Sequence, residues 1–288
     1  MDNKISVVMA TLGGDTVSKT IECLNAGTVI PDEILICMPQ KEAAEYVVPL
    51  AKNVSLIITM CRGQVAQRAV GFSTAKNDYV MQIDDDIYVE KKCVEELIKT
   101  HTSNTGNIAV SPALINIETN KSIYTKPKRS LLFDKIYYWL MNGSAGYQQG
   151  RVDKSGSAIG VDRETNIDTE IETEWLAGGC IMHKKHNLIT ENYFPYKGKA
   201  YCEDSIHSYL LRDRGVKLMV NLDAVCYLDI FHSAEFTPRE FIKNIIGDYR
   251  ARLYFVKLSG RSFIRMNIFY VAWIANYIAG LIFRRNVR

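Results

Sequence analysis

The sequence predicts an α/β protein with a mainly parallel sheet flanked by helices and amphipathic helices at its C-terminus. Three observations predict it. Short apolar runs alternate with amphipathic segments through the first hundred residues. A run of three carboxylates follows directly on one of the apolar runs. A helix-start signature near residue 237 leads into a charge-free apolar stretch near the end.

The elements follow in order. Ile5-Ser6-Val7-Val8-Met9 reads as a first strand, and residues 15–26 as a helix before Pro31 breaks the chain. Glu33 to Cys37 and Val54 to Ile58 are further strands, residues 64–75 a helix, and Tyr79 to Ile83 a fourth strand. In sheets of this kind ligands sit at the carboxyl ends of the strands, which is where Asp84 begins. Val89 to Thr100 has helical spacing. From about 116 to 172 the pattern loosens, and Gly150 to Val161 reads as a hairpin or flap, a candidate lid. Order returns at Trp175 to Met182. A helix starts near Glu203 and stops at Gly215, and two strands follow at Lys217 to Val220 and Ala224 to Leu228. Thr237-Pro238-Arg239-Glu240 has capping-box spacing and proline at the first helical position, opening a helix to about Leu258.

Composition narrows the classes. The 288 residues are 47% hydrophobic and 23% charged, enough for a sizeable core. A net charge of +3 does not argue for nucleic acid, and no such partner is expected. The seven cysteines include no C-x-x-C pair and several lie in apolar runs, which points to buried free thiols in a reducing compartment. The N-terminus has no basic segment followed by an apolar one, so a cytoplasmic location is expected.

The residues with chemistry are few. Asp84, Asp85 and Asp86 repel one another unless water or a cation compensates them. One reading is a hard divalent cation, Mg²⁺ or Mn²⁺, held together with substrate phosphates. The other is a solvated acidic start to the following helix. Glu203-Asp204 likewise reads either as helix-start acids or as a general base. Leu12-Gly13-Gly14-Asp15 is not a dinucleotide fingerprint. His232 lies beyond a strand, as a lone candidate ligand or an ordinary histidine, and Arg62 and Arg68 flank a strand and helix where phosphate or solvent could meet them.

Together these segments resemble the family 2 glycosyltransferases of the GT-A, Rossmann-like fold, of a bacterial polysaccharide type. The resemblance rests on Ile5 to Thr11, on Gly63 to Gly71 with Arg68, on Tyr79 to Asp86 as a strand ending in D-x-D, on the W-x-x-G-G of Trp175 to Gly179, and on Glu203-Asp204 with Gly215. It implies a catalytic domain over 1–235, with a nucleotide-binding half to about 115 and an acceptor half from about 116 to 235. Residues 236–288 would be a helical, membrane-associating segment. It implies a single inverting displacement in which Asp204, with Glu203 as its neighbour, takes the acceptor proton. Ala10, Thr11, Arg68, Asp84, Asp85, Trp175, Gly178 and Gly179 would meet the nucleotide or donor sugar. Asp86 would be the metal ligand, with Asp84 beside it and His232 as a further candidate. Two departures are clear: where the family often carries a base-contacting acid, this chain reads Cys37-Met38-Pro39-Gln40, and the triple aspartate leaves the D-x-D register open, with Asp85 as the alternative metal ligand.

Met266 to Phe283 carries no charge and is bracketed by arginines. Large apolar and aromatic residues gather on one side of a helical wheel, which suits a helix lying in a membrane interface rather than crossing it. The expected partners are therefore a nucleotide-sugar donor, a glycan or polyprenyl-linked acceptor, and the cytoplasmic surface of the inner membrane. The rival readings are a sugar nucleotidyltransferase and a non-catalytic membrane-bound scaffold with a degenerate transferase domain.

Overall fold

The computed structural model describes residues 3–49, 51–126, 130–229 and 237–285. The chain opens with β1 (Ile5–Ala10), α1 (Thr16–Asn25), β2 (Glu33–Pro39), the single turn α2 (Gln40–Ala43) and β3 (Val54–Thr59). Helix α3 (Gln64–Thr74) and β4 (Tyr79–Ile83) follow. β1 pairs in parallel with β2 on one side and β4 on the other, and β2 pairs in parallel with β3. β1, β2 and β4 are buried on both faces and mainly apolar, with Ser6 and Gln82 as hydrogen-bonded exceptions, as strands covered by helices on each side must be. α3 presses close to the sheet: a Cβ on Gly71 would stand 2.4 Å from Val8 and 2.6 Å from the Cys37 sulfur. That approach sets the depth of Arg68, one turn earlier on the same helix.

Beyond β4 the sheet becomes mixed. After β5 (Ile87–Val89), α4 (Cys93–Ser103), β6 (Ile108–Asn116), β7 (Lys121–Ser122) and α5 (Leu131–Asn142), the chain adds β8 (Glu170–Thr173) and β9 (Cys180–Lys184). β9 inserts antiparallel between β4 and β6. Helix α6 (Glu203–Asp213) then leads to β10 (Lys217–Leu228). The strand order is β3-β2-β1-β4-β9-β6-β10-β5, with β7 on β6 and β8 on β10.

Four expectations change. The strands anticipated at 217–220 and 224–228 are one strand, β10, with a bulge between Asn221 and Val225. The Asn221 side chain accepts from the backbone of Asp223 (2.8 Å) and Ala224 (3.2 Å), a local turn that resembles a break when only the sequence is read. The helix anticipated from Val89 starts at Cys93, because Ile87–Val89 pairs with β10. The loose stretch contains α5, capped by the Ser130 hydroxyl. The anticipated lid at 150–161 is strapped down: Arg261 donates to the carbonyls of Val152 and Asp153, and Arg252 to the carbonyl of Gly156 and the hydroxyl of Ser157.

The chain ends in α7 (Pro238–Leu258), with the capping box in place, and α8 (Phe263–Arg285). They pack on each other through Val256, Met266 and Tyr270, and Phe241 stacks on Tyr277. Their opposite sides remain open. Ile242, Ile246, Phe263, Ile264 and Val271 are exposed, as are Leu131, Leu132, Phe133, Ile136 and Trp139 of α5. Among the described residues no helix is long and apolar enough to cross a membrane.

Candidate active site

β1 and β4 end side by side, so Thr11 and the aspartates share one edge of the sheet. The three aspartates have different surroundings. Asp84 accepts from Arg68 at 2.5 Å and from Gln64 at 2.9 Å. Asp85 accepts from the Thr11 hydroxyl and faces the cleft beyond it. Asp86 takes no hydrogen bond or ion pair from another described residue. Burial raises the pKa of Asp85 and of Asp86; the Thr11 hydrogen bond works against this at Asp85, and the neighbouring carboxylates add to it at both.

Arg68 is 2% exposed and lies between two carboxylates, Asp84 at 2.5 Å and Glu203 at 2.6 Å. Burial disfavours its charge, but Glu203 and then Asp84 outweigh that and hold it protonated. Glu203 is itself buried and also accepts from the Tyr193 hydroxyl at 2.9 Å. Against the effect of burial, Arg68 keeps Glu203 below the ordinary carboxylate range. The next residue goes the other way. Burial, and then the negative charge of Glu203, push Asp204 well above the usual range. A proton taken up by this pair therefore goes to Asp204.

The turn into α6 gives the two neighbouring acids different surroundings. Cys202, the N-cap, is left-handed at φ 54°, a conformation costing about 1–2 kcal/mol for a residue with a side chain. Glu203 then points inward to Arg68, while Asp204 opens into a cavity of about 510 Å³. Trp175 lines this cavity with Tyr124, their rings meeting edge to face at 5.7 Å, and the indole donates to the Ile159 carbonyl. Gly178 and Gly179 form the divide. A Cβ at 178 would stand 2.3 Å from an Asp204 oxygen, and one at 179 would touch Asp84 at 3.7 Å. The Gly179 carbonyl accepts from the Asp84 backbone (2.8 Å) and the Gly178 carbonyl from Gln82 (2.7 Å), which fixes the pair.

On the other side lies a cleft of about 850 Å³, lined by Ala10, Thr11, Gly13, Arg62, Gln64 and Asp85, and by the segment Lys197 to Ala200. The place of the missing base-contacting acid is internally occupied. The Cys37 carbonyl accepts from Thr11 (3.1 Å) and Gln67 (2.9 Å).

The structure thus brings Ala10, Thr11 and Asp85 to one cleft, and Trp175 and Asp204 to a second cavity. It turns Asp84, Arg68 and Glu203 into a buried network between them. Arg68, expected to meet the nucleotide, has both terminal nitrogens engaged here by Glu203 and Asp84. Glu203 is likewise committed to Arg68 and Tyr193. His232 lies outside the described residues. Sequence reasoning missed Gln64, Tyr193 and the lysines at 197 and 199; the Lys-Gly-Lys just ahead of Glu203-Asp204 was the available signal.

Among the described residues no three His, Cys, Asp or Glu side chains converge on a metal position. The donor set still fits a cation that arrives with phosphates. Hard divalent ions commonly take one or two carboxylates and complete their shell with substrate oxygens and water. Asp86 is uncommitted, and the one buried cation nearby, Arg68, is shared with Glu203.

The family model for glycosyl transferase family 2 matches residues 6–161. It stops short of Gly178, Gly179, Glu203 and Asp204. No match is found among curated proteins. Among solved structures, a crystal structure of GalNAc-T7 with UDP, GalNAc and Mn²⁺ is similar at a TM-score of 0.57 and 16% identity, covering 84% of this chain and 47% of that one. The chain spans about half the length of that structure. The likeness is one of fold, and the fold is GT-A.

Proposed function

Because this chain belongs to glycosyl transferase family 2, we propose that it moves a sugar from a nucleotide-sugar donor to a hydroxyl of a glycan or lipid-linked acceptor, with inversion and with Asp204 as general base. The observation that carries this reading is the placement of Asp204. It opens into a cavity and lies against Gly178, whose neighbour Gly179 lies against Asp84 of the aspartate run. An acceptor hydroxyl in that cavity would meet a base on the side away from the donor cleft, as in-line displacement requires. The nucleotide-sugar part is supported by the solved neighbour, whose title gives UDP, GalNAc and Mn²⁺.

In this reading each residue has one task. Thr11 and Asp85 line the nucleotide cleft, and Arg62, Lys197 and Lys199 bring positive charge to it. Arg68 holds Glu203 ionised, so the proton leaving the acceptor goes to the raised carboxyl of Asp204. Trp175 and Tyr124 shape the acceptor cavity. A divalent cation, Mn²⁺ or Mg²⁺, held by Asp86 with Asp84 beside it and His232 as a further ligand, would neutralise charge on the departing diphosphate. The division proposed is a nucleotide-binding half to about 115, an acceptor half to 235 and a helical segment from 236. The work is placed at the cytoplasmic face of a membrane, in polysaccharide assembly. Exposed apolar residues of α5, α7 and α8 support the membrane part, and seven free cysteines the reducing compartment.

The test is product and binding analysis. Nucleoside diphosphate, not pyrophosphate, should appear when a panel of nucleotide sugars is incubated with Mn²⁺. Calorimetry with UDP and GDP should find Mn²⁺-dependent binding that weakens at least about tenfold in Asp86→Ala, with circular dichroism unchanged. Unaltered affinity in that variant would move the ligand role to Asp85.

A further inference from the structure

Two central strands carry a polar residue amid apolar ones, and the two residues are used differently. Ser6 on β1 is fully engaged: its hydroxyl donates to Glu33 (2.6 Å) and accepts from the Asn77 N–H (3.1 Å). Gln82 on β4 is completely buried and only half engaged. Its amide nitrogen donates to the Gly178 carbonyl at 2.7 Å, while its amide oxygen has no partner among the described residues. Burying an amide with one end unmet disfavours folding relative to an apolar side chain of similar length. Packing alone therefore gives no reason for glutamine at this position.

The two glycines ahead of β9 are held by different means. Gly179 is fixed by the backbone: its carbonyl accepts from the Asp84 N–H at 2.8 Å, a bond that does not depend on side chains. The Gly178 carbonyl is held by the Gln82 side chain. Gln82 stands opposite Ile181 across the β4–β9 pair, so its amide reaches along the sheet to a residue three positions before its own rung. Gly178 is also the residue that meets Asp204. A Cβ there would stand 2.3 Å from the Asp204 oxygen, and the Gly178 N–H faces that carboxylate and favours its charged form.

We propose that Gln82 is a positioning residue: it sets the Gly178 peptide, and through that peptide it aims the carboxyl of Asp204. The inference rests on the transferase reading, which makes Asp204 the base, and adds to it a residue that lines neither the donor cleft nor the Asp204 cavity. A half-met buried amide is the kind of local sacrifice of stability that a functional geometry explains and packing does not. Ser6 is the contrast, a strand residue whose every polar atom is spent on holding the fold.

The experiment uses the full chain, the variants Gln82→Met and Gln82→Leu, and Ser6→Ala as control. The first readout is the Gly178 amide resonance in protein carrying isotope-labelled glycine, identified by its loss in Gly178→Ala. The second is the urea midpoint. The third is release of UDP or GDP from UDP- and GDP-linked hexoses in Mn²⁺, with UDP and GDP affinity measured by calorimetry. Water replaces the acceptor there: its oxygen bonds the anomeric carbon, the nucleoside diphosphate leaves, and Asp204 takes the proton. We expect the Gly178 resonance to move in both Gln82 variants, and nucleotide release to fall about 10²-fold at unchanged nucleotide affinity, as for a base displaced by about 1 Å. The urea midpoint should stay near wild type, because removing the unmet oxygen offsets removing the bond. Ser6→Ala should lower the midpoint and leave the other readouts alone. An unmoved Gly178 resonance overturns the proposal. So does a midpoint that falls as far as in Ser6→Ala while nucleotide release persists, which makes Gln82 a structural residue like Ser6. If wild-type protein releases nucleotide and both Gln82 variants match it, the positioning role falls and the transferase reading stands. If Gly178 moves but wild-type protein releases nucleotide from no donor, the transferase reading falls and the link from Gln82 through Gly178 to Asp204 stands.

Discussion

In the proposed reading, the donor cleft beside Thr11 and Asp85 and the acceptor cavity beside Asp204 are built by opposite means. The donor cleft stands at the ends of parallel strands, with backbone carbonyls, a threonine and carboxylates fixed by short-range hydrogen bonds. The acceptor cavity is assembled from α5, the strapped hairpin, α6 and α7, and its walls are mainly side chains. The first is determined by the sheet. The second is determined by which helices arrive, so it can change without disturbing the first. The difference teaches where, under the proposed function, specificity for each substrate would be written: for the donor in the sheet edge, for the acceptor in the added helices.

The comparison breaks most sharply at Asp204. Asp204→Asn removes the proposed base yet does not reach the cleft at Thr11 and Asp85, so transfer should fall about 10²–10⁴-fold with unchanged affinity for nucleoside diphosphate. Paired calorimetry and transfer assays read it. Glu203→Gln serves as the counterpart, and it should act through Arg68 by unfolding the protein more easily. If Glu203→Gln abolishes transfer in a fully stable protein while Asp204→Asn retains it, the roles of the two acids are reversed.

A smaller effect is expected at the divide itself. Gly178→Ala places a carbon 2.3 Å from an Asp204 oxygen and 2.9 Å from a Glu203 oxygen. The carboxyl must move, and displacement of about 1 Å costs roughly 10²-fold in rate. Donor binding should change little, because position 179, not 178, touches Asp84. Steady-state kinetics with binding measured alongside distinguish the two. Equal losses in both would mean that the glycines belong to one joint site.

The smallest effect sharpens the comparison from beneath. His207 on α6 and His101 on α4 are both buried, and burial lowers each to about 4 from 6.5. The unfolded chain then binds more protons between those values, so stability is full above about pH 6.5 and falls as pH drops toward 4. At pH 5.5 each should cost roughly 1 kcal/mol of stability. Urea unfolding between pH 7 and 5 measures it, and His207→Gln should flatten the slope. A slope unchanged in that variant would place the titration elsewhere.

Much of the donor side was legible. Ile5 to Ala10 and Tyr79 to Ile83 show their strands through mainly apolar runs, each with one polar residue, and such runs have one physical meaning when helices cover both faces. The acceptor side was less so. Leu131 to Asn142 is apolar nearly all round, without the one-sided spacing that marks an amphipathic helix, and Leu131, Leu132 and Ile136 on it are exposed. The turn of Asn221 concealed a continuous strand. The partners of Arg68 were beyond reach, since nothing local in either segment announces a contact between helix α3 and the start of α6.

That last pair has a consequence for how the protein is made. Arg68 and Glu203 are 135 residues apart. At ordinary synthesis rates the cation waits roughly ten seconds for its second partner. Until α6 emerges, the guanidinium has Asp84 alone, and β4 lacks its neighbour β9. A fragment ending near Val161 would thus keep the whole family-matching region yet leave a sheet edge open and a buried charge half-paired. The unit that sequence comparison detects is not a unit of folding, and the emerging chain needs shelter until its last third is complete.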